Sequence, residues 1–175
     1  MQGLDGVRVL ELGQMVSAAY ATKLMADLGA DVIKIEEQSG DLARQHGPYP
    51  NGVVDGEQSG LFLALNTNKR SVVLEEEKRN SQLAQLVETA DIVVHNYQPA
   101  EMQASGLDYE ALSQINPRIV LCSITPFGLT GPYRNYKAYE LTLAHAGGWA
   151  WLGPGASDAP ELPPLKTFGQ QCYFQ

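Results

Sequence analysis

Cysteine is scarce: Cys122 and Cys172 are the two in 175 residues, and no paired spacing links them. Two are too few for a disulfide framework or a zinc ribbon, so both read as reduced thiols. Aromatic residues supply 8% of the chain and charged residues 18%, and the basic side chains are outnumbered, 12 Lys+Arg against 20 Asp+Glu, for a net charge of −8. A chain this acidic lacks the broad basic face that holds nucleic acid or an anionic bilayer. Only the local group Lys69, Arg70, Lys78 and Arg79 runs against the balance. No apolar run approaches the roughly 18 residues that cross a bilayer, and the first 13 residues hold no apolar stretch behind a basic one. The expectation is a soluble, cytoplasmic protein with neither nucleic acid nor membrane as partner.

Several signatures of chemistry are missing as well. The segment ELGQMVSAA carries one glycine where a dinucleotide-binding turn needs three to bring the backbone against a pyrophosphate, which argues against NAD and FAD. There is no GxxxxGK[ST] to cradle phosphates and no GxSxG elbow to present a nucleophile. His46, His95 and His145 are scattered without HExxH or His/Cys ligand spacing, so no metal is expected.

What is present is a regular alternation. Val7 to Leu12 is a short apolar run entering a turn at Gly13, and Ala18, Ala21, Leu24, Met25 and Leu28 then recur at helical spacing up to Gly29. Asp31 to Glu36 reads as a second strand, so residues 7–36 form one β-α-β unit with parallel pairing. Residues 38–60 show no period and read as a long loop. Arg70 to Leu74 is a strand, a helix begins near Asn80 or Ser81, Asp91 to His95 is a strand, Asp108 caps a helix stopped by Pro117, and Arg118 to Ile124 is a fifth strand. This order predicts an α/β fold with a doubly wound, mostly parallel sheet and a ligand site at the carboxyl ends of its strands. Those ends carry Gly13-Gln14-Met15, Glu36-Glu37, Asn96-Tyr97 and Thr125 to Gly128. Beyond residue 128 the text turns to glycine, proline and aromatics, which divides the chain into a core, 1–128, and a continuation, 129–175, that stops without a terminal signal and reads as truncated.

Six segments, LDGVRVLELGQ, ADLGADVIKIE, LALNTNKRSVVL, ADIVVHNYQP, LDYEALSQINPRIVLCSITPFGLTGPY and KAYE, resemble in order and spacing the N-terminal half of the family III CoA-transferases. The resemblance implies the first part of a Rossmann-like large domain in an interlocked dimer, with coenzyme A as substrate bound along the strand ends. It implies CoA transfer between an acyl-CoA and a carboxylic acid, by way of an aspartate that carries the acyl group, and a homodimer or a heterodimer with a related chain. Residue by residue it implies contacts from Gln14, Met15 and Val16 to the pantetheine and acyl region, and from Asn68, Lys69 and Arg70 at the nucleotide end. Asn96 and Tyr97 match the motif after the fourth strand, and Lys137, Tyr139 and Glu140 the segment near the acyl site. Three positions depart from the pattern: Glu37 and Ala104 stand where many relatives carry arginine, and Tyr173 stands at the place of the aspartate.

Read without the resemblance, Lys69-Arg70 also fits a solvated basic turn, Asn96-Tyr97 an asparagine turn with a packed aromatic, and Tyr173 a core or interface residue. Two functions follow: an acyl-CoA-processing transferase, or a non-catalytic paralogue, partner subunit or fragment that lacks the acyl carrier.

Overall fold

The computed structural model describes residues 2–152. By its internal contacts the chain divides into two compact units, Met1–Thr125 and Pro126–Gln175. The first holds a five-stranded sheet of β1 (Arg8–Glu11), β2 (Asp31–Glu36), β3 (Arg70–Val73), β4 (Ile92–His95) and β5 (Val120–Ser123), ordered β3-β2-β1-β4-β5. Every pairing is parallel, with Leu10 opposite Ile33 and Val93, and Val93 opposite Leu121. The helices of this unit are α1 (Ser17–Asp27), α2 (Gly60–Asn66), α3 (Arg79–Glu88), α4 (Pro99–Ala104) and α5 (Tyr109–Ile115). In the second unit lie α6 (Glu140–Ala146) and α7 (Trp149–Leu152).

The period-two alternation of each strand sends neighbouring side chains to opposite faces, and both faces are covered. On one, Val9, Val32 and Val94 pack with Ala18, Ala26 and Ala30, small residues that let α1 lie close to the sheet. On the other, Leu10, Ile33 and Val93 pack with Leu83, Val87, Met102 and Leu112 from α3, α4 and α5. Doubly wound packing thus follows from the strand text, as expected.

The expected terminators act as read. Gly29 takes φ 99°, its amide bonding Ala26 O while the Ala30 amide bonds Met25 O, which closes α1 with a left-handed glycine. The Asp108 carboxylate accepts from the Ala111 amide at 2.8 Å and caps α5.

Two stretches differ from the sequence expectation. Residues 38–60 are not an unstructured loop: single 3-10 turns form at Leu42–Gln45 and Pro50–Gly52, and Ser59 caps α2, which the apolar text GLFLALN does not announce because it has no polar face. Helix α4 is also unannounced, being a short element started by Pro99. Among unforeseen contacts, Asn116, between α5 and β5, ties that connection to the end of α3. Its Nδ2 donates to Val87 O at 3.1 Å and Ala90 O at 2.8 Å, and its Oδ1 accepts from the Arg118 amide.

Replacing this buried side chain leaves the Ala90 carbonyl without a donor, the Val87 carbonyl with the Ala90 amide alone, and the Arg118 amide without its acceptor, so Asn116→Ala is expected to destabilise the protein by about 1–3 kcal/mol. In urea unfolding that appears as a lower midpoint with an unchanged slope; an unchanged midpoint refutes it.

Candidate functional site

The chain winds outward from β1 through β2 to β3, then returns to the other side of β1 as β4. The point of reversal lies between the carboxyl ends of β1 and β4, the place where doubly wound sheets bind their ligands. The turn 13–16 follows β1 at this point, and Asn96 follows β4.

Asn96 binds the turn as a peptide group would. Its Oδ1 accepts from the Gln14 amide at 3.0 Å, and its Nδ2 donates to Gln14 O at 2.7 Å and to Ser17 Oγ at 3.1 Å. Both amide hydrogens of Asn96 are therefore engaged inside the chain. Glycine is required before the turn, because a Cβ at Gly13 would stand 2.3 Å from Ala18 Cβ and 3.2 Å from Asn96 Oδ1. Gln14 Oε1 accepts from the Leu42 amide at 3.0 Å, which ties the turn to the 38–60 segment. Val16 is buried.

Under this turn, on the α1 face of the sheet, valines give way to charge. Glu11 and Lys34, register partners on β1 and β2, continue the rows of Val9 and Val32. Lys34 Nζ lies 2.6 Å from Glu11 Oε1 and 2.6 Å from Asp41 Oδ2, and it donates to Gly13 O at 3.1 Å. Lys69 Nζ donates to Glu11 Oε2 at 2.8 Å, Ala19 O at 2.7 Å and Asn66 Oδ1 at 2.9 Å, and Thr22 Oγ1 donates to Glu11 Oε2. Two carboxylates thus face two ammonium groups, all nearly excluded from water. Burial pushes the Glu11 carboxyl up, but Lys34 and Lys69 outweigh it and hold it below its usual range. Burial likewise pulls Lys34 down, and Glu11 with Asp41 raises it above the ordinary lysine value. For Lys69 burial wins over Glu11, and its ammonium is drawn down to about 8.

At the end of β2, Glu36 accepts both Arg44 Nε at 2.8 Å and Nη2 at 2.9 Å, together with the Asp41 amide and the Ser71 hydroxyl. Arg44 also lies 3.6 Å above the Phe62 ring, so one guanidinium organises the 38–60 segment. A cavity of about 420 Å3 opens beside it, lined by Glu36, Glu37, Gly40, Arg44, Glu57 and Val73. A second, of about 270 Å3, is lined by Glu37, Arg79, Asn80, Leu83, Tyr97 and Leu107. Glu37 borders both, and its Oε1 pairs with Arg79 at 2.9 Å. Burial raises the Tyr97 phenol above its usual value.

The structure brings Gln14, Met15, Val16, Asn96 and Tyr97 to one end of the sheet, and it leaves others elsewhere. Arg70 begins β3 and pairs with Asp31, the first residue of β2. Asn68 donates to Asp27 Oδ1 at 2.9 Å, at the end of α1. Lys69, expected among phosphates, has a side chain only 2% exposed and spends its donors on Glu11, Ala19 and Asn66. Lys137 is exposed in the second unit, and Tyr173 lies outside the described residues. Arg79 is the cation the motif reading missed. Charged residues at alternate positions of a buried strand, Lys34 and Glu36 within DVIKIE, were the signal for the buried network.

One further pair looks reactive and is not. Ser123 Oγ lies 2.6 Å from His95 Nε2, but His95 Nδ1 accepts the Tyr97 amide at 3.2 Å. That bond fixes the hydrogen on Nε2, so the imidazole donates to Ser123 and has no lone pair to activate it. Burial lowers the His95 pKa and keeps the ring neutral. Among the described residues, no group of three His, Cys, Asp or Glu is placed to hold a metal, and no helix is long and apolar enough to cross a membrane.

The doubly wound parallel sheet with a polar turn at its switch point defines an α/β protein of Rossmann-like architecture. Residues 4–172 match the model of CoA-transferase family III, and the chain belongs to that family. It is 38% identical over 169 residues to a succinate–glutarate CoA-transferase of Agrobacterium fabrum, covering 94% of this chain and 41% of that protein. It is 40% identical over 172 residues to a formyl-CoA:oxalate CoA-transferase of Streptomyces avermitilis, covering 97% and 40%. A crystal structure of a CAIB/BAIF family protein from Brucella suis superposes with a TM-score of 0.83 at 35% identity, over 97% of this chain and 44% of that one. The chain therefore spans about 40% of the length of the curated relatives it matches.

Two measurements probe this region. The Glu36 carboxyl lies at about 2 in the folded protein against an ordinary 4.5. A depressed carboxylate stabilises the fold above its unfolded value and loses that contribution as pH falls toward the folded one. Stability is thus expected to fall between about pH 4.5 and 2, and Glu36→Gln to flatten this limb in acid-unfolding curves; an equally steep limb would refute the pairing. Fluorophosphonate probes are expected to leave Ser123 unlabelled at neutral pH, and labelling detected by mass spectrometry would overturn the tautomer argument.

Proposed function

We propose that the chain is the coenzyme A-binding portion of an enzyme that moves CoA between an acyl-CoA thioester and a carboxylic acid. The observation that carries this reading is the Gln14–Val16 turn at the β1–β4 switch point, held by Asn96 from the end of β4, in a chain whose family is that of CoA-transferases. CoA is substrate here, with Gln14, Met15 and Val16 beside its pantetheine and acyl end and Tyr97 along it. Asn96 acts through the turn, since its hydrogens are taken. Asn68, Lys69 and Arg70 support the scaffold, and Arg79 offers the charge that meets phosphate, partly offset by Glu37. Lys137 is an exposed cation of the second unit.

The partners are an acyl-CoA and a carboxylic acid, and the working assembly is a homodimer or a heterodimer with a related chain in the cytoplasm. In covalent transfer a carboxylate attacks the thioester carbonyl and expels the CoA thiolate, giving an anhydride. The thiolate opens it at the carrier carbonyl and releases the donor acid. The acceptor carboxylate attacks the resulting carrier thioester and expels the thiolate again, and the thiolate opens this second anhydride at the acceptor carbonyl, giving the new acyl-CoA and the free carrier carboxylate. With Tyr173 at the expected acyl-carrier position, that carboxylate comes from elsewhere in the assembly.

The full-length polypeptide, incubated with succinyl-CoA and glutarate or formyl-CoA and oxalate, is expected to form the exchanged thioester, read by liquid chromatography and mass spectrometry. Arg79→Ala is expected to weaken CoA about three- to tenfold in calorimetric titration, less at high salt, because a half-exposed cation–phosphate contact is worth on the order of 1 kcal/mol. CoA binding without exchange would identify a non-catalytic member; absence of both sinks the proposal.

A further inference from the structure

Met15 stands at φ 62°, a left-handed conformation that costs a side chain other than glycine about 1–2 kcal/mol. Asn96 holds the peptide before it, but Met15 itself is held from the other side. Its amide donates to Asp41 Oδ1 at 3.0 Å, while the same oxygen accepts from the Ala43 amide at 2.7 Å. The other oxygen faces Lys34 Nζ at 2.6 Å, and the Asp41 side chain is 1% exposed.

Capping Ala43 alone does not call for burial, since an exposed aspartate caps a 3-10 turn equally well. Burying a carboxylate is costly unless a counter-charge and hydrogen bonds compensate it. Here Lys34 supplies the counter-charge and also grips Gly13 O, so one ammonium group fixes both the entry to the turn and the carboxylate that holds its strained residue. The 38–60 segment thereby sets the shape of a turn 26 residues earlier in the chain.

We propose, resting on the transfer reading above, that Asp41 is a positioning residue: its carboxylate, fixed by Lys34, holds the Met15 amide so that the Gln14–Val16 turn keeps one shape while the acyl-CoA reacts beside it. A reacting thioester displaced by about 1 Å loses up to a hundredfold in rate, so this brace acts on turnover more than on affinity.

Variants of the full-length polypeptide separate positioning from packing. Asp41→Ala alone leaves Lys34 uncompensated and risks unfolding, so the comparison uses two charge-balanced doubles. Lys34→Met with Asp41→Ala has no acceptor for Met15, whereas Lys34→Met with Asp41→Asn keeps a side-chain oxygen there. Amide hydrogen exchange at 15N-labelled Met15, and kcat and KM for CoA exchange per folded molecule, are measured in both.

The alanine double is expected to exchange the Met15 amide about tenfold or more faster than the asparagine double, and to show a kcat about tenfold lower with KM for acyl-CoA within about threefold. Equal Met15 exchange, or equal kcat, in the two doubles overturns the proposal. A wild-type polypeptide that binds CoA but moves none refutes the transfer reading instead; Met15 exchange then decides on the brace, and equal protection in the two doubles overturns it.

Discussion

The buried balance of two carboxylates, Glu11 and Asp41, against two ammonium groups, Lys34 and Lys69, is the constraint on which this end of the molecule depends. Each charge is excluded from water, and each is tolerable only because the others are there. Removing one partner of such a set typically costs about 3–5 kcal/mol, because an uncompensated charge remains in a medium of low dielectric constant. A set of apolar residues of the same volume would cost less to bury. What apolar residues lack is direction: Lys34 reaches Gly13 O, Lys69 reaches Ala19 O, and Asp41 reaches the Met15 amide. The network therefore ties β1, β2, the start of α1, the residues before β3 and the 38–60 segment to one turn.

That arrangement shapes a turn that has one glycine. A dinucleotide fold brings its backbone against phosphate by removing side chains. Here the turn keeps its side chains, and its backbone is shaped by two groups on opposite sides, the Asn96 amide and the Asp41 carboxylate. Gly13 remains glycine for a different reason, the close approach of Ala18. Beside Tyr97 the cation is Arg79, its charge moderated by the pair with Glu37.

His95 shows how geometry cancels an apparent chemistry. A serine hydroxyl 2.6 Å from an imidazole nitrogen has the separation of a nucleophile and its base. The backbone amide of Tyr97 on the other nitrogen reverses the direction of that hydrogen bond. The pair then serves to pin β5 to β4 beside the switch point.

Most of the architecture was legible in the sequence because it rests on local rules. Alternating valines and leucines placed the strands, small residues at helical spacing marked α1, and Gly29 and Asp108 acted where they were read. The switch point between β1 and β4 followed from element order alone, and so did the grouping of the Gln14 turn with Asn96. Tertiary structure decided which charges meet. Lys69 and Arg70 are neighbours in the chain, yet one side chain turns inward to Glu11 and the other pairs outside with Asp31, because successive residues at the start of a strand face opposite ways. Asp41, in a stretch without periodicity, gave no local signal of its role. Its partner Met15 and its counter-charge Lys34 lie on other elements, and only the folded sheet brings the three within hydrogen-bonding distance.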